Sequence, residues 1–167
     1  MPEGDTMIQE RPSHMKVNVY AAIGIFGRVT LHVFHENSDS KTHIKILQTH
    51  LIPKANRIYN EFGYEWVLVE DNVKYHKSKM VNNFFIENDV KTLHFPPFSP
   101  DLNPIENLWA LLKHKVGKRG PSTVEEWERF IYEEWNLLDD EVVSSYVTSI
   151  NNRMLNVMEL EGDITKY

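Results

Sequence analysis

The chain has 167 residues, 41% of them hydrophobic and 25% charged, with a net charge of −6 and no cysteine. That length suits one domain with its own core. The missing cysteines exclude disulfides and thiolate metal sites and fit a reducing compartment such as cytosol or nucleus. No apolar run approaches the ~20 residues of a membrane helix, and the first residues lack the apolar core of a signal peptide.

The elements follow in order. Residues 1–15 read as an irregular segment, with Pro2, Gly4 and Pro12 and few β-branched side chains. Residues 17–23 and 28–34 read as two strands of a hairpin around a turn at 24–27, with Val29, Leu31 and Val33 alternating with Arg28, Thr30 and His32. Ser40 is placed to cap a helix carrying Ile44, Ile46, Leu47 and Leu51 up to Pro53, with a further turn or two over 54–61. Residues 66–70, WVLVE, form a short, nearly all-apolar run that suits a strand buried on both faces. A helix follows over about 77–87, with Met80, Val81, Phe84 and Phe85 on its buried side, and then a strand over 92–95. After a proline-rich stretch come helices at about 104–118, at 123–138 (capped by Thr123 or Ser122), and at 140–160. Hairpin, helix, strand, helix, strand and helices describe an α/β layer with a mixed sheet and a helical C-terminal cap.

Chemistry concentrates at two places. Asp71 lies just past the carboxyl end of the 66–70 strand, where α/β sheets gather their sites. Residues 96–109, PPFSPDLNPIENLW, end as the start of a helix. Asn103 is a capping residue, Pro104 fits the first helical position, and Glu106 falls where a capping box would fold it back onto Asn103. The other reading of Glu106 is a metal ligand. Ile105, Leu108, Trp109, Leu112 and Val116 make the helix's apolar face, and Glu106 sits about 100° from Ile105, on its flank. From there it reaches toward the sheet end that carries Asp71. Two carboxylates converging from different elements are a usual means of holding Mg²⁺, which prefers hard oxygen ligands.

Charge is uneven. Lys74, Lys77 and Lys79 follow Asp71, and Lys113, Lys115, Lys118 and Arg119 follow Glu106. Either cluster alone reads as a solvated face, although Lys74 and Lys113 are placed to meet DNA phosphates. The overall acidity argues mildly against nucleic acid as a partner.

VEDNVKYHKSK at 69–79 together with HFPPFSPDLNPIENLW at 94–109 closely resembles the catalytic domain of mariner-type transposases, within the DDE transposase and integrase group. The resemblance runs from about Val17 to the C-terminus and implies a ribonuclease-H-like fold over 16–167. It matches Asp71 to the second catalytic acid and Glu106 to the third, with 34 residues between them. It makes both metal ligands and turns the reading of Glu106 from cap to ligand. Asn72 and His76 match flanking motif residues, His76 as a group that orients a ligand or contacts a phosphate.

The resemblance also implies Mg²⁺ or Mn²⁺ as cofactor, and transposon ends and target DNA as partners. It is compatible with a homodimer, and it places the protein in the nucleus of a eukaryote or the cytoplasm of a prokaryote. The family's first acid stands on the central strand, before the hairpin. Asp5 is the nearest candidate here, but MPEGDTMIQE is not an apolar strand. The expectation is a sheet without that strand, unpaired edges on the hairpin and on 66–70, weakened metal binding, and an inactive or crippled enzyme. The alternative is a domesticated or relict module for DNA binding or assembly. An unrelated two-carboxylate hydrolase, such as a glycosidase, explains neither the motif nor the lysines.

Overall fold

The structure is a computed structural model that describes residues 17–95, 102–150 and 152. Asp5, the irregular 1–15 segment, the 96–101 part of the proline-rich stretch and the end of the last helix lie outside the described residues.

Strands β1 (Asn18–Gly24) and β2 (Gly27–Phe34) form the expected antiparallel hairpin, with Asn18 opposite Phe34 and Tyr20 opposite His32. Gly27 closes the turn with φ +100°, a region that favours glycine. A Cβ there would lie 2.5 Å from Asp140. The alternation in β2 does not separate core from solvent, because both faces of the hairpin are covered. Leu31 and Val33, with Val19, Ala21 and Ile23, pack on the C-terminal helices, while Tyr20, Ala22 and Val29 pack on the helices that follow the hairpin. Thr30 is buried and accepts a hydrogen bond from Lys54 Nζ at 3.1 Å.

Helix α1 (Ser40–Ile46) runs through a π turn (Leu47–Leu51) into α2 (Ile52–Glu61). Its cap is Asp39 and not Ser40: Asp39 Oδ1 accepts from Thr42 N at 2.8 Å, while Ser40 Oγ is taken by Ser78 Oγ at 2.9 Å. Pro53 does not end the helix. It sits in the first turn of α2, where its missing N–H falls at the change of register, and the Ile52 N–H bonds back to Leu47 O.

Strand β3 (Leu68–Glu70) pairs in parallel with β4 (Thr92–His94), Val69 opposite Leu93, through helix α3 (Lys79–Glu87). Ser78 caps α3 by accepting from Val81 N. Val81, Phe84 and Phe85 are buried as expected, but Met80, in the first turn, is 48% exposed. Nor is β3 buried on both faces. Leu68 and Glu70 face the core, but Val69 is 41% exposed, because among the described residues nothing covers its side of the strand.

Helices α4 (Ile105–Lys118), α5 (Val124–Asn136) and α6 (Asp140–Thr148) form the second layer. Leu108, Leu112 and Val116 of α4 are buried against the hairpin, with Ile105 and Trp109 at their flank. Thr123 caps α5, accepting from Glu126 N at 3.1 Å. Arg28 of β2 fastens this layer. Its Nε and Nη2 donate to the two Asp140 oxygens at 2.7 and 3.0 Å, and its Nη1 donates to Trp135 O and Asn136 O at 2.8 and 2.9 Å.

The four strands form two separate two-stranded sheets. Among the described residues no strand lies between β1 and β3. Their facing sides border a cavity of about 610 Å³, lined along one wall by β1 and along the other by residues 65–71. Among the described residues, the facing edges of β1 and β3 have no strand paired to them.

Candidate catalytic and metal site

Asp71 follows the last residue of β3 and lines this cavity. Its carboxylate is about half exposed, with Oδ1 2.7 Å from His76 Nδ1. The hydrogen bond to His76 holds the Asp71 carboxyl below the usual range against a smaller opposing effect of burial, so it is an anion at neutral pH. For His76, burial is the largest single influence and lowers its pKa. The Asp71 hydrogen bond and the charges of Glu70 and Asp71 together outweigh it and leave the pKa raised. Asn72 turns the other way and donates Nδ2 to Phe95 O at 2.7 Å, tying the loop after β3 to the end of β4.

Glu106 enters the same cavity from the first turn of α4 and is exposed. The local geometry departs from a capping box. Pro104 holds the cap position, Asn103 Oδ1 accepts from Ile105 N at 3.3 Å, and among the described residues no bond returns from Asn103 N to Glu106. The carboxylate is thus left to face the cleft. The other acids of the lining have other partners. Glu65 pairs with Lys91, Asp39 caps α1, and Glu70 Oε1 lies 2.9 Å from His43 Nε2. Two hard oxygen donors from two elements, Asp71 and Glu106, meet on one cavity, and this donor set fits a Mg²⁺-class ion.

The lysines do not converge on that cavity. Lys74 is exposed on the loop after β3, and Lys113 lines a second cavity of about 370 Å³ with Trp109, Val116 and Trp127. Lys115 and Arg119 are engaged by Glu134, Arg119 also by Glu133, and the Arg119 guanidinium stacks 3.8 Å from the Phe130 ring centre. The acidic helix α5 thus neutralises half of the second basic run.

Two residues of the region carried no signal of their own in the sequence. His43, on α1, and Glu70, one residue before Asp71, meet beside β3 with Nε2 and Oε1 2.9 Å apart. Strand alternation was the available clue: if Asp71 faces the cleft, Glu70 faces the core.

Comparison with known proteins places this geometry. A family described as DDE superfamily endonuclease matches residues 1–128. The chain belongs to that family. Among curated relatives, the transposase of transposable element Tc3 from Caenorhabditis elegans is 31% identical over 100 residues, 59% of this chain and 30% of that protein. The Tcb1 transposase of Caenorhabditis briggsae is 33% identical over 106 residues, 63% of this chain and 38% of that protein. The chain therefore spans about a third of the length of these relatives.

Among solved structures, a Mos1 transposase catalytic domain with raltegravir and Mg matches with TM-score 0.77 at 15% identity, covering 90% of this chain and 84% of that one. A pre-cleavage Mos1 transpososome matches with TM-score 0.82 at 17% identity, covering 99% and 50%. This DDE-family chain has the ribonuclease-H-like fold of the mariner catalytic domain.

Proposed function

We propose that the chain is the C-terminal part of a mariner-type transposase catalytic domain, whose parent chemistry is metal-dependent cleavage and strand transfer of DNA. The observation that carries this is the placing of Asp71 and Glu106 on one cavity, at the end of β3 and the start of α4. Its setting in a family of DDE endonucleases supports it, as does the likeness to Mos1 structures solved as paired-end complexes with transposon DNA.

Asp71 and Glu106 would hold Mg²⁺ or Mn²⁺, which when bound supplies activation of a water or hydroxyl and charge stabilisation at the phosphodiester. His76 keeps Asp71 ionised and fixes its rotamer through the 2.7 Å contact. Asn72 holds the loop that carries both. Lys74 and Lys113 lie on exposed flanks, where they serve phosphates and not the reacting centre. Among the described residues two carboxylates serve this site, and two hold a metal pair poorly, so weak ion binding and little or no cleavage are expected of them.

The test is nicking of supercoiled plasmid by the intact chain in Mg²⁺ and in Mn²⁺. Cleavage no higher than that of Asp71→Asn is expected. Efficient nicking that Asp71→Asn abolishes would show that two acids suffice and overturn the inactivity. DNA binding that is salt-dependent and unchanged by Glu106→Gln, with or without Mg²⁺, would favour a binding or assembly module over a catalyst.

A further inference from the structure

Beside the end of β3, next to Asp71, three side chains from three elements meet. They are His43 from α1, Glu70 from β3 and His76 from the loop before α3. One donor atom of each lies within 4.8 Å of the others. His43 is 3% and Glu70 7% exposed. His43 Nε2 and both Glu70 oxygens are buried without a hydrogen bond, despite the 2.9 Å approach of Nε2 to Oε1. A buried carboxylate and imidazole that approach each other without hydrogen-bonding geometry are poorly compensated for the water they lose. The rings of Tyr20 and Tyr75 wall the group, 6.0 and 5.8 Å from the His43 ring centre, and the His76 ring lies 4.2 Å from it.

We infer that His43, Glu70 and His76 form a second metal site, distinct in donor chemistry from the Asp71–Glu106 site and selective for a Zn²⁺-class ion. Two imidazoles and one carboxylate suit Zn²⁺ or Co²⁺, whereas Mg²⁺ takes oxygen ligands. A four-coordinate ion with bonds of about 2.0–2.1 Å keeps its donors roughly 3.3–3.4 Å apart. Small side-chain rotations reach that spacing from the one observed. Three protein ligands leave a fourth position for water. The ion accepts lone pairs from the orphaned nitrogen and oxygens, which removes the cost of their burial. It ties α1, β3 and the following loop together, and so braces the strand end that carries Asp71. The group borders the same cavity as Asp71 and Glu106, but His43 and Glu70 are almost fully buried, and an ion held by buried donors from three elements suits a structural role. The inference stands whether or not the cleft is catalytic.

The test uses the full chain freed of metal by a chelator and shown by circular dichroism to be folded. Titration with Co²⁺ is expected to give a visible ligand-field band that saturates at one equivalent and is displaced by Zn²⁺. Zn²⁺ is expected to raise the melting temperature, and Mg²⁺ to do neither. His43→Gln and Glu70→Gln should each weaken binding by more than the roughly 10–100-fold that follows loss of an outer partner. Glu106→Gln should keep the band, and so should His32→Gln, which breaks the other close histidine pair, with His50 at 3.9 Å between ring centres. No stoichiometric Co²⁺ band from the folded chain would overturn the site. So would a band lost in His32→Gln, or one that His43→Gln retains at unchanged affinity.

Discussion

Arg28→Ala removes the guanidinium that fastens the hairpin to the C-terminal helices. Four hydrogen bonds go with it, two to the Asp140 carboxylate and two to the carbonyls of Trp135 and Asn136. Bonds to charged groups contribute about 1.5–3 kcal/mol each when buried. The Arg28 and Asp140 side chains are 22% and 48% exposed, so the ionic bonds are discounted to about 0.5–1 kcal/mol each. The two carbonyl bonds add about as much again. The expected loss is about 2–4 kcal/mol, while the Arg28 backbone N–H keeps its own 2.9 Å bond to Asp140 Oδ1. In a domain of this size that is roughly 4–16 °C in melting temperature.

Urea denaturation at pH 7 and low salt measures it. The hydrogen bond from Arg28 holds the Asp140 carboxyl below its ordinary value. The stability it contributes is present above the unfolded Asp pKa, about 3.9, and is lost as pH falls through the lower, folded value. The gap between wild type and Arg28→Ala should therefore narrow in acid. A loss under about 0.5 kcal/mol at pH 7, or a gap that widens as pH falls, would refute the clamp.

Other expectations follow from the same coordinates. Gly27→Ala meets a positive φ and a Cβ contact of 2.5 Å with Asp140, so urea melts should show a loss of about 1–3 kcal/mol. Leu108→Ala leaves a cavity at a fully buried position between α4 and the hairpin, for a loss of about 2–5 kcal/mol by the same measurement. Lys74→Ala and Lys113→Ala should each weaken DNA binding evenly across sequences and lower the salt slope by about 1. Lys115→Ala should do less, since Lys115 Nζ already lies 3.9 Å from Glu134.

Much of this fold could be read from local chemistry. The hairpin announced itself through β-branched residues on either side of a glycine-bounded turn. The α4 face was visible because Leu108, Leu112 and Val116 repeat at helical spacing. Asp71 and Glu106 stood out because their motif places both at element ends, and both line one cavity. What failed depended on neighbours distant in sequence. Both Asp39 and Ser40 are good caps, and Asp39 holds the position because Ser40 is engaged by Ser78 across the α1–α3 contact. Pro53 looks like a stop, but the π turn ahead of it shifts the hydrogen-bond register. WVLVE reads as doubly buried, yet Val69 looks into the cleft between the two sheets. Glu70 and His43 went unnoticed because neither is unusual alone. Only the fold brings an acid at a strand end against a histidine on a helix some thirty positions earlier.

The central claim is that Asp71 and Glu106 hold one ion between them. Titration with Mg²⁺, followed by backbone amide NMR shifts, tests it on wild type, Asp71→Asn, Glu106→Gln and the double variant. Mg²⁺ is the right probe because the His43–Glu70–His76 donor set disfavours it. The account predicts weak binding to wild type, with shifts at the end of β3 and the start of α4. It also predicts that each single variant loses that binding and the double variant loses no more. Binding that survives either substitution unchanged, or losses from the two that add as independent sites do, would contradict it.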